Sequence, residues 1–277
     1  DSSIKFLVKI ISYLPEKALK YFIARFIKNM SSYTNYYYTY HRRPKFFDKV
    51  HYSDIFEETK YSHIGLVIQG PLLTEDHFTL NSVLLYKKNY PDIKIVVSTW
   101  KNSDEKEVKL FQEKGIDIIL LERPLVTGSH NINLQIISTI EGIKYLEEKD
   151  VTFICKTRTD QRIYAKNSFK YMEKLINKYP ANSNIAKGRI IEPSISVCKY
   201  RPWSMTDMFQ FGYLEDMKKM WEIKLDERSQ TAQDYGLKKF KVFDIVNDNI
   251  AEIYIHRNYA TICELDNAIS YKKYYDC

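Results

Sequence analysis

Ile64-Gly65-Leu66-Val67-Ile68-Gln69-Gly70-Pro71-Leu72 is the stretch that decides the fold: a short apolar run that breaks abruptly into a polar turn. Continuous apolarity, in place of alternation, marks a strand covered on both faces, as in a parallel sheet. Working outward, similar runs recur at 93–97, 117–121 and 151–155, and helical patterns near 76–89, 103–114 and 130–148 separate them. The order β-α-β-α-β-α-β predicts an α/β domain with a mainly parallel sheet and helices on both faces, which takes its ligands at the carboxyl ends of the strands.

Further along, the pattern is more mixed. Strands are expected at 184–191, 207–211 and 252–255, with helices at 165–178 and 213–222. No repeat, low-complexity tract or flexible linker divides residues 61–277, so they read as one domain with halves at 61–162 and 163–277. Residues 1–60 read as a helical and aromatic-basic appendage.

Within that appendage, Ile4, Leu7, Ile11 and Leu14 form one apolar stripe, Pro15 breaks the helix, and Leu19, Phe22, Ile23, Phe26, Ile27 and Met30 form a second. Lys17, Lys20, Arg25 and Lys28 lie among the latter. Two amphipathic helices follow. Their apolar faces either cap the domain, pair in a homodimer, or dock residues 4–30 on an anionic membrane surface, and the spacing does not choose between these.

The chain has 277 residues, enough for a full core, with 44% apolar and 28% charged residues. Its 23 tyrosines and 14 phenylalanines suit half-wet grooves for polar ligands. The formal charge of +7 favours a phosphate-bearing partner or an anionic surface. Cys155, Cys198, Cys263 and Cys277 are widely spaced, without a C-x-x-C pair, and read as free thiols in a reducing cytoplasm. No apolar run is long enough to span a membrane, and the start lacks the pattern of a secretory signal.

If ligands bind at strand ends, chemistry belongs in the segments that follow the strands. After the first come Gln69, Gly70 and Pro71, a turn that allows close backbone approach and offers an amide to a base or ribose, or else is an ordinary Gly-Pro turn. After the second come Ser98 and Trp100, the latter either a stacking platform or plain core. Asn131, Asn133 and Gln135 open the helix before the fourth strand; one such residue is explained as a cap, three suggest recognition of sugar hydroxyls. In Lys156-Thr157-Arg158-Thr159-Asp160-Gln161-Arg162 an apolar strand runs into alternating charge. Lys156, Arg158 and Arg162 are cations suited to a diphosphate leaving group, and Asp160 is a hard-oxygen ligand for Mg²⁺ or Mn²⁺.

Ile68-Gln69-Gly70-Pro71, Val97-Ser98-Thr99-Trp100, Asn133 and Gln135 with Ser138-Thr139, and Lys156 to Asp160 together resemble, in order and spacing, the WavE lipopolysaccharide-synthesis family. The resemblance runs over roughly residues 64–260 and takes in Asp207-Met208-Phe209-Gln210-Phe211-Gly212. It implies a GT-A-like, Rossmann-type glycosyltransferase domain using a nucleotide-sugar donor in its 61–162 half. A glycan or lipid-linked glycan acceptor of surface polysaccharide, lipopolysaccharide or capsule, would meet the 163–277 half at the cytoplasmic membrane face. GT-A enzymes usually carry D-x-D where this chain has Arg158-Thr159-Asp160, which weakens the case for strict metal dependence. A late histidine often completes the metal shell, and His256 is the candidate. For an inverting reaction the base is expected to be Asp207, with Asp234 as runner-up.

Competing classes are thinner. A nucleotidyl- or phosphotransferase on a similar sheet is a second class, but the P-loop signature G-x-x-x-x-G-K-[ST] is absent, as is the dinucleotide fingerprint G-x-G-x-x-G. Nucleic-acid binding has scattered basic residues but no recognised motif. An inactive GT-A-like binding or assembly protein stays in play because the first acid of D-x-D is missing.

Overall fold

Five strands build the sheet of the computed structural model, which describes residues 2–36, 38, 40, 41, 43–49, 60–181, 185–195, 197, 203, 205–228 and 250–264. They are β1 (Ile64–Gln69), β2 (Lys94–Trp100), β3 (Asp117–Leu121), β4 (Phe153–Arg158) and β5 (Gln210–Tyr213), in the order β3-β2-β1-β4-β5. The first four are parallel and β5 runs antiparallel to β4. This is the Rossmann-type sheet expected from the apolar runs.

Side chains alternate across the sheet, so each strand feeds both layers. Leu66, Ile68, Ile95, Val97 and Cys155 pack with one set of helices: α3 (Phe78–Asn89), α4 (Glu105–Glu113) and α6 (Ser168–Lys178). Val67, Val96 and Ile154 pack with the other set: α5 (Ile132–Glu147), α7 (Leu214–Trp221) and α8 (Ala251–Ile262). Each buried aliphatic side chain contributes roughly 1.5–3 kcal/mol, and they concentrate in the central strands: Ile64, Leu66, Val67 and Ile68 in β1, and Ile95, Val96 and Val97 in β2. At Gly142 a Cβ would stand 2.5 Å from Val67 Cγ1, so only glycine lets α5 lie this close to β1.

The chain divides into compact units at 1–44 and 45–277, and the first contains α1 (Ser2–Ser12) and α2 (Glu16–Tyr33), parted at Pro15 as the sequence indicated. Among the described residues no helix is long and apolar enough to cross a membrane.

Two expectations need correction. The segment 252–255 is helical, inside α8, because Ala251, Ile255 and Tyr259 recur every fourth residue and pack on the α5–α7 layer. The apparent alternation of Ile253 and Ile255 misled. The strand foreseen at 184–191 reduces to a single bridge between Ile191 and Phe211, residues 182–184 lying outside the described set. In addition, β4 runs on to Arg158, so Lys156 is a strand residue that shares Ile154's face.

Candidate active site

The carboxyl ends of β1, β2 and β4 meet because Gln69 is in register with Ser98 on one side and Arg158 on the other. The chain must then turn sharply. Gly70 does so at φ +120°, where a Cβ would also stand 3.0 Å from Thr159 Oγ1. Thr159 binds two turns together, its N–H donating to the Gln69 carbonyl (3.0 Å) and its hydroxyl to the Pro71 carbonyl (2.6 Å). From α3, the Thr79 hydroxyl donates to the Thr159 carbonyl (3.0 Å) and accepts from the Leu73 N–H (2.9 Å). The braced turns open on a cleft of about 430 Å³.

One wall of the cleft is the turn from Gln69 to Leu73, and another is the start of α5, with His130, Asn131, Leu134 and Gln135. Trp100 and the segment Arg158 to Asp160 complete it. Gln69 is buried, and its amide oxygen accepts from the Ser138 hydroxyl (2.9 Å). Asn131 is exposed in the left-handed conformation (φ 60°) just before α5. Trp100 is a buried floor, with the Arg123 guanidinium 5.8 Å from its ring centroid.

Arg158 and Asp160 face each other through two hydrogen bonds, Nε to Oδ1 at 3.0 Å and an NH2 nitrogen to Oδ2 at 2.7 Å. That bond from the carboxylate is the largest influence raising the Arg158 pKa above its ordinary value. The pair is half-exposed and internally neutral. An anion entering the cleft therefore competes with Asp160 for Arg158.

Behind Gln135 lies a buried polar cluster. The Gln135 Nε2 donates to Asp207 Oδ2 (2.5 Å), and the Lys156 ammonium donates to the Asp207 carbonyl and to Gln135 Oε1 (3.3 Å). Glu192 Oε1 accepts from Gln210 Nε2 (2.7 Å) and pairs with His256 Nε2 (2.8 Å), while Glu192 Oε2 finds no hydrogen bond. His256 Nδ1 bonds the Glu252 carbonyl (2.6 Å). Burial opposes a charge on His256, but the Glu192 carboxylate outweighs it and raises the pKa.

The expected donor-binding set thus divides. Gln69, Gly70, Pro71, Trp100, Asn131, Gln135, Arg158 and Asp160 line one cleft. Ser98 lies buried below it, its hydroxyl without a partner. Asn133 turns inward, donating to the carbonyls of Val126 and Asp226 (2.9 and 2.8 Å) and accepting from the Asp226 N–H (2.7 Å). Lys156 is fully buried and does not reach the cleft surface. Arg162 stacks on Phe78 and donates to Ser82, Lys45 and Phe78, so it braces α3 and does not line the cleft.

The chemistry assigned to Asp207 and His256 also shifts. Asp207 is 6% exposed and meets the cleft through Gln135. His256 faces Glu192 with both ring nitrogens engaged and does not join Asp160. Among the described residues no three His, Cys, Asp or Glu side chains gather as a metal site, and Asp160 and His256 do not come together in one. Asp234 lies outside the described residues. Arg123, His130 and Thr159 stand outside the set expected from the sequence, although Arg123 follows β3 and obeys the same strand-end rule.

A smaller cleft of about 240 Å³, lined by Lys94, Asp117 and Lys149 among others, lies at the amino ends of β2 and β3, away from these groups.

A comparison with curated proteins finds no match. Among solved structures, a 4-diphosphocytidyl-2C-methyl-D-erythritolsynthase from Anaerococcus prevotii DSM 20548 is similar at 15% identity and a TM-score of 0.38, over 68% of this chain and 83% of that one. That likeness is too slight to carry a reading of function. A family model described as WavE lipopolysaccharide synthesis matches residues 64–261, all five strands of the sheet included, and the chain accordingly belongs to the WavE lipopolysaccharide synthesis family.

Proposed function

We propose that the chain is a glycosyltransferase that moves a sugar from a nucleotide-sugar donor to a lipopolysaccharide or capsule acceptor, a glycan free or lipid-linked, and works in the cytoplasm. The observation that carries this reading is the cleft at the carboxyl ends of β1, β2 and β4, where a close-approach glycine turn, three amides and an arginine share one wall system. Family membership supports the pathway, lipopolysaccharide synthesis.

In this reading the acceptor hydroxyl attacks the anomeric carbon and the nucleoside diphosphate leaves with the bonding electrons. Arg158 turns from Asp160 to the diphosphate, and Arg123 adds a second cation above Trp100. Gln69, Asn131 and Gln135 present hydrogen-bonding groups to ribose or sugar hydroxyls. Asp160, freed from Arg158, is the carboxylate among the described cleft residues that can take the acceptor's proton. Asp207 acts through Gln135 as a positioning residue. Asp234 remains the alternative base.

A second reading, a GT-A-like binding or assembly protein without activity, is favoured by one observation: Asp160 is closed on Arg158, and among the described cleft residues no second acid stands beside it. A thermal-shift panel of nucleoside diphosphates, followed by product analysis with the matching nucleotide sugars, separates the two. Stabilisation with turnover supports transfer, stabilisation without turnover supports the binding protein, and no response at millimolar concentration counts against both.

A further inference from the structure

Each of the two N-terminal helices exposes a run of large apolar side chains, the kind of surface that marks an interaction site. No residue of α1 or α2 is buried. Ile4 is 64% exposed, Phe6 67% and Phe26 56%. At about 100° per residue, Ile4, Phe6, Leu7, Val8, Ile10 and Ile11 fill an arc of roughly 200° around α1. Lys5 and Lys9 take the remainder. On α2 the stripe from Leu19 through Phe22, Phe26 and Met30 covers roughly 140°, with Lys17, Arg25 and Lys28 on the far side and Lys20 at its border.

We propose that α1 and α2 lie flat in the headgroup region of an anionic bilayer, apolar arcs toward the acyl chains and cations at the level of the lipid phosphates. Charge selects this occupant. The two helices carry Lys5, Lys9, Lys17, Lys20, Arg25 and Lys28 against one acid, Glu16. A second copy on the same surface would bring two cationic sets together with almost no acid to pair them, whereas helix pairs in water flank their seam with both signs. The α1 arc is also far wider than the seam one partner helix covers. Lysines bordering such arcs extend their stems over apolar surface and hold the ammonium at the interface. Neither helix is long and apolar enough to cross the membrane, which leaves a position in its plane. The inference stands apart from the reading of the cleft.

Co-sedimentation of the full chain with vesicles tests it, using phosphatidylcholine alone and phosphatidylcholine with a minority of phosphatidylglycerol. The chain is expected to pellet with the anionic vesicles, less so as salt rises, and poorly with the neutral ones. The variant Lys17→Glu/Lys20→Glu/Arg25→Glu/Lys28→Glu should bind anionic vesicles on the order of a thousandfold more weakly. Phe22→Ser/Phe26→Ser should lose binding with the charge unchanged, and thermal melting of both variants checks that the 45–277 unit is intact. Absence of pelleting with anionic vesicles overturns the proposal, as does equal binding by the charge variant. A dimer in sedimentation velocity that Phe22→Ser/Phe26→Ser abolishes, without vesicle binding, assigns the surface to a second copy instead.

Discussion

Lys156 holds an ammonium group in the middle of the core, over the Trp221 ring at 4.8 Å. Burial is the largest influence and lowers its pKa to about 8, partly opposed by the Asp207 carboxylate. An unfolded lysine titrates near 10.5, so between pH about 8 and 10.5 the unfolded chain holds more protons than the folded one. Stability contributed through this residue therefore rises with pH across that window, the burial penalty being complete below it. Relative to Lys156→Met, the wild type should gain about 3 kcal/mol in denaturant unfolding between the two ends of the window. A difference independent of pH would mean that the ammonium is not buried. At the cleft, Arg158→Ala and Asp160→Ala should each lower transfer by roughly a hundredfold or more with the melting curve preserved. Full activity in Asp160→Ala would take this segment out of the chemistry. Arg123→Ala should weaken a nucleoside diphosphate but not the nucleoside in calorimetric titration. Arg158 and Asp160 were legible in the sequence because charges that follow directly on a buried strand must emerge at the sheet's carboxyl edge, where a parallel sheet takes its ligands. Lys156 and Arg162 looked equivalent to Arg158 there, and only the extension of β4 and the docking of Arg162 on Phe78 separate them.

The start of α5 shows what spacing conceals about an element. Asn131, Asn133 and Gln135 look like one recognition surface in the sequence, yet residues two apart on a helix point about 200° apart. Asn131 is exposed before the helix begins, Asn133 points into the protein, and Gln135 reaches Asp207 beside the cleft. Asn133 fastens the 126–129 loop to Asp226, which also accepts from the Ser129 N–H (3.0 Å) and pairs with Arg228. Burial resists ionisation of Asp226, but the hydrogen bonds from Arg228 and Ser129 prevail and lower its pKa. Asn133→Ala leaves buried partners on both loops unsatisfied, and a loss of about 2–4 kcal/mol is expected in denaturant unfolding. The cleft wall should loosen with it, so nucleotide affinity falls even though Asn133 does not line the cleft. A neutral effect on both would show that the clip is not formed. The strands were easier to read because both faces are apolar; α8 was harder because four of its residues mimic alternation.

At the scale of the whole molecule, the parallel sheet and its ligand-bearing edge were written in the runs at 64, 93, 117 and 151, since a continuous apolar run of strand length is a signal that needs no tertiary information, and it marks even β3, which lies at the sheet edge without a fully buried residue. The division of the chain was less legible: aromatic and basic residues from 31 to 60 carry no period, and nothing in them marks where the unit beginning at Lys45 starts. The core supplies the test of that division. Among the described residues every buried apolar side chain lies between Tyr61 and Cys263, and α1 and α2 contribute none. A chain reduced to residues 45–277 should therefore melt cooperatively within a few degrees of the full chain, because removing exposed helices deletes no buried apolar area and an energy change near 1 kcal/mol moves Tm by only about 2–4 °C at this size. Its thermal shift with nucleoside diphosphates should equal that of the full chain, since each cleft residue lies in the retained unit. Vesicle binding should disappear. A truncated chain that aggregates or melts without cooperativity would show that the first 44 residues complete the fold, and the apolar arcs of α1 and α2 would then be packing surfaces.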